Sequence, residues 1–172
     1  MKMLKKLLAV VLTGAMALTL LTACGSNAVT EKDIADAMND MAKAKGTNVT
    51  FTPRAAEREL AQKLAALSEK DWNITGGKLS EKVIEILGLN EANEESCFVW
   101  YGAVFADEIG VTGQAYNVMN KVLSKDAVNA DKLGDKEPGD IRYIGTALDT
   151  LTIYGKQTTV RIIVVTAPVE KK

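Results

Sequence analysis

The stretch that decides the fold is residues 151–166, LTIYGKQTTVRIIVVT. Two runs rich in β-branched residues, 151–154 and 158–166, flank a Gly-Lys-Gln loop of the length typical of a β-hairpin. Val160–Val165 is apolar enough to be the central strand of a sheet, and Pro168 is expected to end that strand. The C-terminal part of the chain therefore predicts an antiparallel sheet.

Upstream of this hairpin, the apolar residues recur at helical spacing in three segments. The first helix is expected to open at Thr30, the second to begin at Thr52-Pro53 with proline in its first turn, and the third to be capped by Ser80 and ended by Gly88. The apolar stripes of the first two helices are Ile34, Met38 and Met41, and then Leu60, Leu64 and Leu67. In the second helix, the charged residues, Glu57 among them, are expected to face solvent.

Between these helices and the hairpin, Cys97 to Phe105 (CFVWYGAVF) indicates a strand buried on both sides. A fourth helix is expected from Thr112 or Gly113, and Ile141 to Ala147 fits either a strand or a short helix. Together these elements predict an α+β fold. It is a single domain over 31–172, with N-terminal helices packed on a small, mostly antiparallel sheet of three to four strands.

The amino-acid composition excludes several kinds of catalytic and metal site. The chain has 172 residues, 47% of them hydrophobic and 25% charged, which is typical of a folded globular protein. It contains no histidine, which excludes Ser-His-Asp or Cys-His nucleophiles and histidine-ligated zinc. Of 21 basic and 22 acidic side chains, residues 1–23 hold three lysines and no acid, which leaves a net charge of −4 on the remainder. Nucleic-acid binding relies on concentrated positive charge, so we expect no nucleic-acid partner.

The N-terminus, MKMLKKLLAVVLTGAMALTLLTACGSN, has the layout of a lipoprotein signal peptide. A basic region is followed by an apolar stretch from about Leu7 to Leu21, and Leu21-Thr22-Ala23-Cys24 matches a bacterial lipobox. Small residues before the cysteine fit the substrate-binding subsite of the signal peptidase, and only cysteine offers a thiol that can form a thioether with the lipid. We expect residues 1–23 to be the signal peptide, Cys24 to carry acyl chains such as palmitate, and 24–30 to form a short tether. An ordinary secretory signal, or a transmembrane anchor, is the competing interpretation.

Cys97 is the only other cysteine, so acylation of Cys24 leaves it without a disulfide partner. In the run Ser96-Cys97-Phe98-Val99-Trp100 it is expected to be a small buried hydrophobe. A nucleophilic role would need a base that stabilises the thiolate, and histidine is absent from the chain.

The search for other chemistry gives few candidates. Carboxylates cluster at Glu91, Glu94 and Glu95 and again at Asp107-Glu108, and a hydrolase with paired carboxylates would draw on these. The spacing of oxygen-bearing residues from Asn129 to Asp140 partly resembles a calcium loop. However, Leu133 takes a ligand position and Pro138-Gly139 interrupts the helix that should follow. We assign no catalytic residue, no metal site and no cofactor.

The aromatic residues of the 97–105 strand are candidates for a sugar or peptide site, although such rings more commonly belong to a core. The candidate binding residues are Trp100, Tyr101, Asp107 and Glu108.

The segment 87–111, LGLNEANEESCFVWYGAVFADEIGV, resembles the central motif of a group of short Gram-positive lipoproteins that share the domain of unknown function numbered 4358. Its members combine a lipobox, an acidic turn, an aromatic strand, a following helix and a C-terminal β run. The lipobox, residues 87–111 and, loosely, Thr158–Val165 carry the resemblance. It implies a lipoprotein but no activity and no functional residue.

The sequence as a whole predicts a lipoprotein of the cell membrane, anchored through Cys24 on the extracytoplasmic face. Its partners would be the lipid bilayer and an envelope protein or peptide. A non-catalytic binding or interaction module is the favoured function, and a small cell-envelope hydrolase that uses paired carboxylates is the alternative.

Overall fold

A computed structural model describes residues 29–72, 80–90, 95–107, 109–128, 130–153 and 155–171. The chain divides into two compact units, Met1–Thr30 and Glu31–Lys172. Cys24, the signal peptide and most of the tether lie outside the described residues, as do Glu91, Glu94 and Glu108. The helices and strands of the described residues belong to the second unit.

Helices and strands alternate irregularly along this unit. In chain order they are α1 (Glu31–Ala44), β1 (Thr50–Pro53), α2 (Ala55–Ala65), a 3-10 turn (Glu69–Trp72), α3 (Glu81–Leu87), β2 (Ser96–Phe105), α4 (Val111–Val122), a second 3-10 turn (Ala130–Lys132), β3 (Lys136–Pro138), β4 (Ile141–Ile153) and β5 (Lys156–Lys171). The α+β class is confirmed, and the five strands of the described chain slightly exceed the three to four expected.

The sheet is built around β5. Its strand order is β1-β4-β5-β2, and β3 pairs with the end of β5. Only β1 pairs in parallel, with β4, while β2, β3 and β4 all run antiparallel to β5. Every residue from Val160 to Val165 is buried, as a central strand requires. The hairpin and the central position of its second strand were thus correctly predicted, but Lys156 and Gln157, which were expected in the loop, belong to β5 and pair with Ile153 and Thr152.

Alternate residues of β5 face two different layers of helices. Val160, Ile162 and Val164 pack in one apolar cluster with residues of α2 and α3, including Leu64 and Val83. On the opposite face, the Arg161 guanidinium donates from Nε to Gln114 Oε1 of α4 at 2.8 Å, and α1 packs against α4. Because each fully buried aliphatic side chain contributes ~1.5–3 kcal/mol, burying both faces of β5 is a large part of the stability of the fold.

The predicted helical stripes lie in the core. Ile34 and Met38 are fully buried in α1, Leu64 is fully buried in α2, and Met41 and Leu60 are half-buried. The third helix has the predicted ends. Ser80 Oγ accepts the Val83 N–H at 3.2 Å, and Gly88 adopts the left-handed conformation with φ +62°.

The predicted start of the second helix is wrong. Thr50–Pro53 is a strand, parallel to β4, and α2 begins at Ala55 after the extended residue Arg54. Pro53 is tolerated because it is the last residue of an edge strand, where no ladder hydrogen bond depends on its N–H.

The predicted end of the last strand is also wrong, because β5 continues past Pro168 to Lys171. Pro138 is opposite Val169 and Tyr143 is opposite Thr166, so residues 139–142 face only two residues of β5. The ladder is therefore bulged beside Pro168, where a missing N–H breaks no regular bond. Residues 141–147, which fitted either structure, form a strand.

The strand β2 differs from its prediction in burial. It lies at an edge of the sheet, and Ala103 and Phe105 are exposed rather than buried on both sides. Cys97 is buried as predicted, and its thiol donates to the Ala167 carbonyl at 3.7 Å. Burial raises the pKa of the Cys97 thiol, which keeps it protonated and unreactive.

Candidate binding cleft

The structure does not bring Trp100 and Tyr101 together. The register of β2 against β5 shifts between Phe98 and Trp100, so that Val99 is an extra residue in the strand. Trp100 is opposite Val165 and Tyr101 is opposite Val164, which places their side chains on different faces of the sheet. The two aromatic residues therefore cannot line one site.

Trp100 faces α4, where Lys121 Nζ lies 5.7 Å from its ring centroid. The indole lies over Gly102, since a Cβ on that glycine would be 2.7 Å from Trp100 Cζ2. A long-range cation–π contact and a close backbone contact make Trp100 part of the packing between β2 and α4.

Asp107 connects two strands. Its Oδ2 accepts the backbone N–H of Thr159 in β5 at 2.5 Å. This hydrogen bond lowers the pKa of the Asp107 carboxyl, so the group is ionised at neutral pH. The role of Asp107 is to fix the chain as it leaves β2. Glu108, the fourth candidate, lies outside the described residues.

The paired-carboxylate hypothesis depends on residues that meet in one pocket. Of its five residues the structure describes Glu95 and Asp107, which flank the two ends of the ten-residue strand β2. At ~3.3 Å per residue, the strand separates them by roughly 30 Å. These two carboxylates therefore do not form a catalytic pair.

An apolar cleft of about 260 Å³ lies on the α3 side of the sheet. Residues from four elements line it, namely Trp72, Ser80, Val83, Tyr101, Gly102, Ala103 and Leu151. Of the candidate binding residues that the structure describes, Tyr101 alone lines this cleft. Charge and motif patterns could not reveal this cleft, because its walls are brought together from residues 72 to 151 by tertiary packing alone.

The polar groups of the cleft are few. Ser80 Oγ accepts a hydrogen bond from the start of α3, and burial raises the pKa of the Tyr101 hydroxyl, which stays protonated. The Trp72 indole nitrogen is buried and has no hydrogen-bond partner within the described chain. None of the described lining residues is charged. The cleft, as its described residues form it, therefore suits an apolar ring or a short acyl group.

A second, shallower groove of about 480 Å³ lies between α1 and β1. It is lined by Asn39, Lys43 and residues 47–52, most of which have polar or charged side chains. The Asn39 amide is already used, because it accepts the Phe51 N–H and donates to the Phe51 carbonyl. This groove is less suited than the cleft to hold a ligand.

Besides Arg161 of β5, two further charged residues are buried in the described chain, and their burial was not predicted from the sequence. Glu57, expected on a solvated face, has a side chain only 2% exposed and is ion-paired with Arg54. Arg142 is fully buried and donates to the carbonyls of Val122 and Ser124 at the end of α4. Burial lowers the pKa of Arg142, and the C-terminal end of the helix dipole favours its positive charge.

In the acidic turn that partly resembles a calcium loop, a lysine lies between two of the carboxylates. Lys125 Nζ lies 2.9 Å from Asp140 Oδ1 and 3.5 Å from Glu137 Oε1. Asn129 lies outside the described residues. Across the described part of the chain, no three or more Asp, Glu or Cys side chains are grouped so that they could hold a metal ion.

Comparisons with family models, curated proteins and solved structures give no match to this chain. No helix among the described residues is both long and apolar enough to cross a membrane.

Proposed function

We propose that this chain is a membrane-anchored extracytoplasmic lipoprotein whose folded unit is a non-catalytic binding module. The anchor rests on the N-terminal sequence, in which a basic region, an apolar stretch and Leu21-Thr22-Ala23-Cys24 follow one another in the required order. Two or three acyl chains, at ~0.8 kcal/mol per buried CH₂, would hold the protein stably in the bilayer. The resemblance of residues 87–111 to the domain of unknown function 4358, whose members are lipoproteins, supports the same proposal.

The apolar cleft is the observation that carries the binding function. It is close in size to the lower end of the ~300–1,000 Å³ range of ligand pockets, so it would take one ring or one short apolar side chain rather than a large molecule. An apolar side chain of an envelope peptide or protein meets that description. The alternative, a carboxylate hydrolase, has less support, because Glu95 and Asp107 lie at opposite ends of β2.

Replacing Cys24 with serine tests the anchor. Cells fed radiolabelled palmitate should label the unmodified protein and leave Cys24→Ser at least about tenfold less labelled, because serine has no thiol to form the thioether. Cys24→Ser should also leave the membrane fraction or accumulate as the unprocessed precursor. Cys97→Ser is the matched control and should keep the label. Unmodified protein that is processed, soluble and unlabelled would disprove the anchor.

The two tryptophans make the cleft testable by NMR, since Trp72 lines it and Trp100 lies on the other face. When p-cresol is titrated into residues 29–172, we expect the Trp72 indole N–H resonance to shift and the Trp100 resonance to stay in place. Trp100→Phe assigns the two signals. Leu151→Phe, which narrows the cleft, should reduce the shift severalfold, whereas the exposed Leu148→Phe should not. Equal shifts of both indoles would reject the cleft as a site without affecting the anchor.

A further inference from the structure

Side chains occupy several of the outward backbone groups of β1 and β4. The Asn39 amide pairs with both backbone groups of Phe51 on β1. Glu31 Oε2 accepts the Thr146 N–H on β4 at 2.7 Å, and further along the same edge Asp149 Oδ1 accepts the Thr150 N–H at 2.7 Å. Such contacts prevent another strand from pairing with these edges.

The outer edge of β2 is different. The Ala106 N–H donates inward to the Thr159 carbonyl, so the even-numbered residues after the bulge face β5. The backbone N–H and C=O groups of Tyr101, Ala103 and Phe105 therefore point outward. The Val128 N–H pairs with the Phe98 carbonyl, but no such bond to these three outward residues exists in the chain as described.

This open stretch is also apolar. No residue from Cys97 to Phe105 carries a charge, Ala103 is exposed, and Phe105 is 49% exposed. Proteins usually protect such an edge with lysine, proline or a covering segment, because it is a template for pairing with a further strand.

We propose that the outer edge of β2 pairs with β2 of a second copy of this chain. In the antiparallel register centred on Ala103, each alanine is opposite its counterpart and Tyr101 of one copy is opposite Phe105 of the other. All three outward residues then exchange backbone hydrogen bonds with the second copy. The two sheets become one continuous sheet across a twofold axis.

A second copy fits this edge better than an unrelated strand because the side-chain pattern is symmetric about Ala103. Aromatic residues lie two positions to either side, so self-pairing places ring against ring twice and small residue against small residue at the axis. Because no residue from Cys97 to Phe105 is charged, pairing with a second copy also places no like charges opposite each other. Twofold pairing uses this edge on both copies, so neither copy has it free for a third, and the assembly is a dimer.

Chemical cross-linking of the full chain in its membrane fraction tests this pairing. Ala103→Cys should place two thiols opposite each other with Cα atoms about 5.5 Å apart, within reach of a short bismaleimide. We expect a covalent dimer in at least about tenfold greater yield than with Tyr116→Cys, which is exposed on α4, or with the unmodified chain, which reports any linkage through Cys24 or Cys97. Equal yields in the three proteins would overturn the proposal.

A second variant separates pairing from chance collision. Phe105→Pro in the Ala103→Cys chain removes one outward N–H and one aromatic ring, but it leaves the inward bonds of β2 to β5 in place. Cross-linking should fall to the level of the Tyr116→Cys control while the circular-dichroism melting curve stays cooperative. If Phe105→Pro cross-links as well as its parent, or if the membrane protein is captured with a different polypeptide paired at residue 103, the twofold edge is rejected.

Discussion

Replacing Gly145 with alanine is expected to lower the free energy of unfolding by about 3 kcal/mol or more. A Cβ at this position would lie 1.9 Å from the Glu57 carbonyl carbon and 2.0 Å from the Arg58 backbone nitrogen. Both atoms belong to the first turns of α2, so no side-chain rotation can relieve the overlap. The helix would have to move away from β4, which would open the apolar layer it covers.

Urea unfolding measures this effect. Gly110→Ala is the matched control, because Gly110 has an ordinary φ of −69° and a Cβ there meets no heavy atom of the described chain within 4 Å. Gly110 is the N-cap residue of α4, where alanine is less favourable than glycine, so the control should lose about 1 kcal/mol or less. If Gly145→Ala unfolds at the same urea concentration as Gly110→Ala, α2 does not rest on β4 as described.

Arg54→Ala is expected to have the next largest effect, about 2–3 kcal/mol of the free energy of unfolding at pH 7. The Arg54 guanidinium is ion-paired with Glu57, donating from Nε to Oε2 at 2.6 Å, and lies 3.8 Å from the centroid of the Tyr143 ring. Removing it would leave a buried carboxylate with one remaining side-chain donor, Thr166. Breaking a fully buried pair costs ~3–5 kcal/mol, and we expect less because the Arg54 side chain is 41% exposed to screening water.

The loss in Arg54→Ala should depend on pH. Burial alone would raise the pKa of Glu57, but hydrogen bonds from Arg54 and Thr166 lower it below 4.5 overall. Glu57 therefore stabilises the unmodified protein above pH ~4.5, and this contribution is lost as the pH falls through the folded-state pKa. In Arg54→Ala, burial dominates and acid protonates the isolated carboxyl. The difference between the two proteins should shrink from pH 7 to about pH 4.

Arg58→Ala is the control for this experiment, because it removes a second arginine, four residues further along the chain and inside α2. Arg58 is about half exposed and pairs with Glu31, so its loss should lower the free energy of unfolding much less than the loss of Arg54 does. An Arg54→Ala variant that is no less stable than Arg58→Ala would show that Glu57 has no need of its buried partner.

Local sequence signals were sufficient where neighbours in the chain are also neighbours in space. The β4–β5 hairpin is formed by adjacent runs, and the ends of α3 are fixed by Ser80 and Gly88 within the helix itself. The burial of Ile34, Met38 and Cys97 followed from apolar character alone. These features need no knowledge of the tertiary fold.

The wrong predictions involve distant partners. Thr50–Pro53 is a strand only because Ile141–Ile144 lies beside it, about ninety residues later in the chain. Proline after threonine favoured a helix start, and no local pattern opposed it. Glu57 was expected in solvent because it is charged, whereas the pairing with Arg54 compensates for its burial. Burial of a charge depends on such a partner, which composition does not reveal.

The candidate site was predictable only in part, because the extra residue Val99 changes which side chains of β2 share a face of the sheet. Regular alternation would place Phe98 and Trp100 on one face and Tyr101 on the other. The bulge at Val99 instead puts Phe98 and Tyr101 on the same side, in contact with the apolar cluster, and Trp100 opposite. A bulge has no reliable sequence signal, so the separation of Phe98 from Trp100 could not be predicted, whereas the adjacent residues Trp100 and Tyr101 lie on opposite faces of any regular strand.

The central place of β5 in the sheet has a consequence for how the chain folds as it emerges, N-terminus first, from a ribosome or a translocation channel. Neither β2 nor β4 has its main partner until residues 156–171 are available, and β1 depends in turn on β4. Until then the helices and the aromatic β2 segment have no sheet to cover and expose their apolar faces. Folding of this unit must therefore wait for β5, and it involves many contacts between distant residues, which favours slow folding. During that interval the chain depends on being kept apart from other unfolded chains, and a holdase chaperone would act on this state rather than on the finished domain.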